Sequence, residues 1–229
     1  MAEPQFPTQV ERVYAELRAD ILAGRCGPGN KLRFRQLTDD YRASVGVVRE
    51  AISRLVAEGL VESMPQQGFR VKPVSVADLQ HLTEARSEVE AIVLRLAVQH
   101  GDLSWEARVV AAHHLLQRTP QMDAADPQRI ADDWARAHDM FHQALLEGCP
   151  NPRLVMIAES LRDSAELYRR WSVPLGSTAR DIAAEHQDLV DAVSARDAGA
   201  AVRGLRHHIR QTAEQLLKSG HLSAEPLGA

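Results

Sequence analysis

The sequence is poor in cysteine and in aromatic residues, and it contains no long apolar run. Cys26 and Cys149 are the only cysteines in 229 residues, too few for a disulfide framework, so a reducing cytoplasm is the expected setting. No run of apolar residues approaches the roughly 18–20 that span a bilayer. The N-terminus has no basic segment followed by an apolar core. We therefore expect neither a membrane span nor a secretion signal.

Charge is unevenly distributed along the chain, whose formal net charge is −4. Residues 1–75 carry 11 Lys/Arg and 9 Asp/Glu, whereas residues 76–229 carry 16 and 22. A slightly basic front region on an acidic body weakly indicates that the front region contacts a polyanion.

The front region begins with the pattern of two helices. An apolar stripe at Val10, Val13, Leu17 and Ile21 predicts the first helix, and the segment GRCGPGN ends it because glycine and proline interrupt helices. The next segment, residues 31–43, predicts a second short helix.

A third helix and a hairpin complete the front region. The helix is predicted to begin after Ser44, whose side-chain oxygen can cap it, and to end at Gly59. The segments LVES and FRVKPV flank MPQQG and predict a two-stranded hairpin. Three helices followed by a hairpin are typical of a winged helix-turn-helix, so we expect a DNA-binding domain at 1–75 and a second domain at 76–229.

The rest of the chain has the pattern of helices only. We expect six helices with short connections, which form an antiparallel bundle, and the aromatic content of 4% suits an Ala/Leu/Val core. The fold class is therefore mainly α. The predicted helices span residues 77–100, 104–118, 127–147, 151–172, 178–195 and 197–219.

Candidate DNA contacts follow from the winged helix-turn-helix pattern. Such a fold places the N-terminal residues of its second motif helix at base edges in the major groove, and Arg49 could pair bidentately with guanine. Two arginines just before that helix could contact phosphates, and the hairpin tip could contact phosphates or the minor groove. The alternative is that the arginines are solvated surface charges. The candidates are Arg33, Arg35, Ser44, Arg49, Gln67 and Gly68.

This front region resembles the DNA-binding domain of the GntR family of bacterial transcription regulators over most of residues 10–73. One departure concerns the start of the recognition helix, where the family usually has Arg after the Ser44 position and Pro two residues later. Here these residues are Val45 and Val47, so the operator sequence cannot be copied from relatives. The matching residues are Ile21, Gly24, Pro28, Gly29, Leu32, Leu37, Ser44, Val48, Arg49, Glu50, Ala51, Leu55, Glu58, Gly59, Leu60, Val61 and Gly68.

Histidine spacing in the back region predicts a metal site. His138 and His142 are four residues apart and therefore project from one helical face. His186 and His208 each lie 11 residues from Asp197, so two helices folded back at that turn would bring them level. Imidazoles suit Zn, Ni, Cu or Fe. The alternative is that these are unrelated helical histidines.

A second interpretation of AHDMFH is a zinc hydrolase motif in which Asp replaces the Glu of HExxH. In that case His138 and His142 would hold zinc and Asp139 would be the general base. Catalytic zinc needs an open coordination position, and two further histidines would fill the site. We therefore expect no enzyme here.

The back region, about residues 77–218, resembles the ligand-sensing FCD domain of FadR-type GntR regulators, and its six helices are similar to the VanR-like subgroup. The resemblance implies that three histidines and an aspartate bind a divalent metal beside a small organic acid. The histidines match His142, His186 and His208, whereas the aspartate position holds His138, with Asp139 beside it. The matching residues are Arg86, Glu90, Phe141, His142, Asn151, Pro152, Glu185, His186, Ala192, Asp197 and His208.

The resemblance sets the remaining expectations. The fourth ligand is His138 or Asp139, with His138 favoured, and the metal is zinc, with nickel as the alternative. Arg86 is expected to bind the carboxylate of the effector, unless it only pairs with Glu90 on the surface, and Tyr168 and Arg169 are weaker candidates for the same cavity. The protein is expected to be a cytoplasmic homodimeric repressor on a palindromic operator. A helical scaffold with a vestigial winged helix is the remaining alternative.

Overall fold

The computed structural model describes residues 8–124, 130–172 and 180–218. Their contacts divide them into two units, of which unit 1 comprises residues 8–75 and 163–171 and unit 2 comprises the other described residues. None of the described helices is long and apolar enough to cross a membrane. The elements are α1 Gln9–Leu22, β1 Lys31–Leu32, α2 Phe34–Asp40, α3 Val45–Ala57, β2 Val61–Met64, β3 Gly68–Val71, α4 Val76–His100, α5 Leu103–Arg118, α6 Asp132–Leu146, α7 Pro152–Ser172, α8 Ile182–Ser194 and α9 Ala198–Lys218.

Side-chain caps and apolar stripes define the helices of unit 1. The hydroxyl of Thr8 accepts a hydrogen bond from the backbone N–H of Glu11 at 3.1 Å and so starts α1. Three residues of the predicted stripe, Val13, Leu17 and Ile21, are fully buried, whereas Val10 is half-buried. Helices α1, α2 and α3 thus enclose one apolar core in the winged-helix region, and the prediction of a mainly helical fold with a winged helix-turn-helix is confirmed.

The sheet of unit 1 has one strand more than the predicted hairpin. Strands β2 and β3 pair antiparallel, with Met64 opposite Gly68, and β1 adds to the other edge of β3, with Leu32 opposite Phe69. The prediction of a helix that begins at residue 31 was therefore wrong. Strand β1 has only two residues and is stabilised by pairing with β3, where Lys31 lies opposite Arg70. Local periodicity cannot predict a contact between residues so far apart in the sequence.

The C-terminal half of α7 contributes to the core of unit 1. Leu167 is buried in that core, and the hydroxyl of Tyr168 accepts a hydrogen bond from the backbone N–H of Ser75 at 3.3 Å. Asp163 forms an ion pair with Arg18 of α1 at 2.5 Å. Residues 163–171 are therefore held by both apolar and polar contacts within this unit.

Unit 2 contains helices α4, α5, α6, α8 and α9 and the N-terminal half of α7, around a core that includes Phe141 and Trp105. Two helices begin later than predicted. Helix α6 begins at residue 132, because residues 130 and 131 make β-type contacts with residues 121 and 122; residues 125–129 lie outside the described chain. Helix α8 begins after Asp181, whose carboxylate accepts the N–H of Ala184 at 2.9 Å; residues 178 and 179 also lie outside the described chain.

Candidate functional site

Four buried histidines of unit 2 form one compact cluster. Each offers a ring nitrogen, and the four nitrogen atoms all lie within 4.8 Å of one another. The centroids of the six ring pairs are 4.5 to 6.0 Å apart. The rings therefore converge on one point inside the bundle. The cluster comprises His138, His142, His186 and His208.

Helix geometry explains why these side chains meet. His138 and His142 are one turn apart on α6, and their rings lie 4.5 Å apart. His186 on α8 and His208 on α9 flank the turn at Asp197, and their rings lie 4.8 Å apart, as their equal spacing from that turn predicts. Trp134, one further turn back on α6, stacks on the His138 ring at 4.8 Å and limits its movement.

A charged pair orients the His208 ring. The Nδ1 of His208 lies 2.8 Å from a carboxylate oxygen of Glu185, and Arg180 donates two hydrogen bonds to the same carboxylate, at 2.5 and 2.6 Å. An ionised carboxylate can only accept, so Nδ1 of His208 carries the proton and Nε2 keeps its lone pair. Metal-ligating histidines are commonly held in this way.

The imidazoles whose pKa is shifted are in the neutral form that binds metals. Burial, together with the charge of neighbouring His208, lowers the pKa of His186 to about 2. Burial also lowers the pKa of His208, although the hydrogen bond that its Nδ1–H donates to Glu185 opposes this shift. Burial would raise the pKa of Glu185, but hydrogen bonds from Arg180 and His208 outweigh it and lower that pKa to about 2. No proton therefore has to leave either histidine at neutral pH before a metal binds.

The donor set fits a divalent transition-metal ion. Zinc–nitrogen bonds of about 2.0–2.1 Å place the vertices of a tetrahedron roughly 3.4 Å apart, so each nitrogen would move inward by about 0.9 Å or less. Within the described chain, no hydrogen-bond partner faces the buried Nε2 of His186. A buried imidazole nitrogen without a partner is costly, and a metal ion would satisfy it.

Asp139 lies outside the cluster, although the sequence left it as an alternative to His138. Its carboxylate is half exposed and pairs with Arg162 of α7 at 2.6 Å, and the same guanidinium donates to the Asp139 carbonyl at 2.9 Å. His138 is buried with the other three histidines. The structure therefore places an imidazole where the resemblance implies a carboxylate.

The Arg86–Glu90 pair is buried, so its interpretation as a surface pair was wrong. Their side chains lie 2.6 Å apart, with Glu90 at 1% and Arg86 at 14% exposure. The positive charge of Arg86 contributes, after burial and the charge of Arg180, to the lowered pKa of His208. Tyr168 and Arg169 lie in unit 1, whereas the four histidines lie in unit 2.

The predicted DNA-contacting residues all lie on the surface of unit 1. The hydroxyl of Ser44 caps α3 by accepting the N–H of Val47 at 3.4 Å. Arg49 is exposed one turn further along α3, and its guanidinium lies 5.2 Å from the centre of the Phe34 ring. This cation–π contact, worth roughly 0.5–1 kcal/mol at an exposed site, holds the charge above α2.

The other candidates lie on α2 and at the hairpin tip. Arg33 is the N-cap residue of α2 and Arg35 lies in its first turn, and both are exposed. Gln67 is exposed between β2 and β3 and accepts a hydrogen bond from the ammonium of Lys31 at 3.0 Å. Gly68 has a φ of 89°, which favours glycine at this tight turn.

Sequence reasoning gave no role to four residues around the cluster. Arg180 and Glu185 have no spacing signal that connects them with His208, because the contact crosses between α8 and α9. His113, which the spacing of the histidines does not single out, is buried with its ring 5.2 Å from the ring of Phe141. Burial lowers its pKa as well. The four-residue spacing of Trp134 from His138 was a usable signal.

Two family descriptions match the chain, one in each region. Residues 9–71 match the bacterial regulatory proteins of the gntR family, and residues 81–211 match the FCD domain. The second match alone covers more than half of the chain.

Similar proteins are known from several bacteria. The HTH-type transcriptional repressor GlaR of Escherichia coli K12 is 38% identical over 200 residues, which cover 86% of this chain and 90% of GlaR. The HTH-type transcriptional regulator BphR of Paraburkholderia xenovorans is 36% identical over 213 residues, 93% of this chain and 87% of BphR. Among solved structures, a GntR transcriptional regulator from Rhodococcus has the same fold, with a TM-score of 0.73 and 24% identity over 92% of this chain and 98% of its own.

Proposed function

The chain belongs to the GntR family of bacterial transcription regulators, and we propose that a divalent metal held by its four buried histidines allows a small organic acid to control its DNA binding. The observation that carries this proposal is the convergence of four buried imidazole nitrogens within 4.8 Å. The proposal extends to the division into a DNA-binding domain at 1–75 and a sensing domain at 76–229.

The DNA side of the proposal rests on α3. We propose that this helix enters the major groove and that Arg49 pairs with a guanine, while Arg33 and Arg35 contact phosphates. A homodimer would place two such helices on a palindromic operator, at half-sites about one DNA turn apart. GlaR is named a repressor, which supports repression as the regulatory outcome. A regulator that binds chromosomal DNA acts in the cytoplasm, which is the location we propose.

The metal side rests on the chemistry of imidazole. Neutral imidazoles prefer zinc, nickel and copper, whereas magnesium, calcium and manganese prefer oxygen donors. We propose zinc, with nickel as the alternative. When bound, the ion would attract an anionic ligand held beside it through its positive charge. His138, His142, His186 and His208 would hold it, and Glu185 would fix the orientation of His208.

The effector is proposed to be a carboxylate bound beside the cluster. Arg86 is the candidate cation, because the resemblance implies it and because its guanidinium is largely buried and held by Glu90. A guanidinium and a carboxylate form two parallel hydrogen bonds. The effector can change DNA affinity only if it binds the two functional arrangements of the dimer with different affinity.

The chain is a regulator and not an enzyme, and the hydrolase interpretation has no support. Asp139 would have to be a general base near metal-bound water, yet its carboxylate pairs with Arg162 outside the histidine cluster. Four imidazoles would also fill a tetrahedral zinc site that catalysis needs open. A vestigial winged helix is disfavoured by the exposed Arg33, Arg35 and Arg49, which remain available for DNA.

Operator binding with and without metal and acid tests the proposal. Duplexes enriched from a random library would be titrated with zinc-loaded and chelator-treated protein, in the presence of a panel of mono- and dicarboxylates of two to six carbons. We expect at least one acid to change the dissociation constant by about 5–150-fold. We expect this effect to require zinc and Arg86, and to persist in His207→Ala, which changes an exposed neighbour of His208. An operator affinity that no acid changes in the zinc-loaded protein would contradict effector control.

A further inference from the structure

Unit 1 exposes one large apolar side chain among its described residues, and that residue is Val45 at the start of α3. Its side chain is 49% exposed, whereas Val48, three residues on, is fully buried. Valine is a poor choice for an exposed first turn of a helix, because its branched side chain loses rotamer freedom there. Helix stability therefore does not explain why a valine occupies this exposed position.

The surface beside Val45 is open to an approaching molecule. A Cβ atom added at Gly46 would meet nothing nearer than the Oγ of Ser44, at 3.9 Å. Ser44, Val45 and Gly46 are all exposed. The start of α3 is therefore open to solvent at Ser44, Val45 and Gly46.

Val45 shares a helical face with the charged group proposed to contact DNA. Arg49 follows four residues later, one turn along α3, and is exposed on the same side. Its guanidinium is held over the Phe34 ring. A base pair read by Arg49 would consequently lie next to a base pair within reach of Val45.

One chemical feature of the major groove matches an apolar side chain. Thymine carries a 5-methyl group there, and the other three bases carry no methyl group in that groove. We propose that Val45 contacts the methyl group of a thymine next to the guanine contacted by Arg49, and so determines specificity for thymine at that position. This inference rests on the proposed placement of α3 in the major groove.

Replacement of the thymine methyl group tests the contact directly. An operator would be enriched from a random duplex library with the full-length protein, and deoxyuridine would replace thymidine at each position of the half-site. For the wild-type protein, we expect one position where this change weakens binding about fourfold, the factor for burying one additional methyl-sized group. Val45→Ala should bind the thymine and uracil duplexes with about equal affinity. The variant should fold, because alanine is the better helix former.

Two variants make the result decisive. Val110→Ala removes a valine of similar exposure, 45%, from unit 2, and it should retain the fourfold preference for thymine. Arg49→Ala should bind more weakly and keep that preference. If uracil substitution weakened operator affinity equally in the wild type and in Val45→Ala, the contact between Val45 and the thymine methyl group would be overturned. The placement of α3 in the major groove would not be affected. If neither Val45→Ala nor Arg49→Ala changed operator affinity, the placement itself would be overturned.

Discussion

Replacement of His186 and His208 by alanine removes two of the four nitrogen donors while leaving His138 and His142 in place. The two remaining donors lie on one helix, one turn apart, and cannot enclose an ion alone. We therefore expect the double variant to lose zinc binding in the concentration range where the wild type is saturated. Each alanine also leaves a cavity in the bundle, so the unloaded variant should be less stable than the unloaded wild type.

The expected rise in melting temperature can be calculated if zinc binds the folded protein and not the unfolded chain. A ligand at 100 times its dissociation constant stabilises the native protein by about 2.7 kcal/mol. For a chain of this size, each kcal/mol raises the melting temperature by roughly 2–4 °C. Zinc should thus raise the melting temperature of the wild type by about 5–10 °C and leave that of the double variant unchanged.

The assay is calorimetry, which gives the melting temperature of each protein once with zinc and once with chelator. The packing that the variant has lost lowers both of its melting temperatures, so the difference between them reports zinc binding alone. Elemental analysis of the same samples gives the metal content. His207→Ala is the matched control, because His207 is exposed next to buried His208, and its zinc-dependent shift should equal that of the wild type. A double variant that keeps its metal content and its shift would refute the assignment of the ligands.

Two further predictions concern the DNA contact and the orientation of His208. Arg49→Ala should weaken operator binding by about 1–3 kcal/mol at fixed salt if the guanidinium pairs with a base. The control is Arg153→Ala in unit 2. If the two variants bound the operator with the same, unchanged dissociation constant, Arg49 would not pair with a base. Glu185→Gln should weaken zinc affinity by about 10–100-fold, because a neutral amide oxygen accepts the Nδ1–H of His208 more weakly than the carboxylate does. An affinity equal to that of the exposed control Glu214→Gln would show that Glu185 does not act through His208.

Local periodicity was sufficient to predict most of the fold. The stripe at Val13, Leu17 and Ile21 and the cap at Ser44 are short-range features, and both are present in the structure. Strand β1 could not be predicted in this way, because Leu32 is ordered by pairing with Phe69. The packing of Leu167 in unit 1 is also a long-range contact, which a helical pattern at 151–172 does not reveal.

The meeting of the four histidines could be predicted from the sequence, whereas the residues that surround them could not. Spacings of four residues on α6 and of 11 residues on each side of Asp197 fix where the histidines meet. The sequence could not decide between His138 and Asp139, because both are near the right face of α6. The deciding contact is the ion pair from Asp139 to Arg162, and α7 must be folded against α6 before that pair exists.

Anomalous diffraction from a crystal of the zinc-loaded protein tests the central claim most directly. The account predicts one zinc peak inside the bundle, bound at about 2.0–2.1 Å by one nitrogen from each of His138, His142, His186 and His208. Absence of a peak among these four rings, or a peak bound by Asp139 in place of His138, would contradict it.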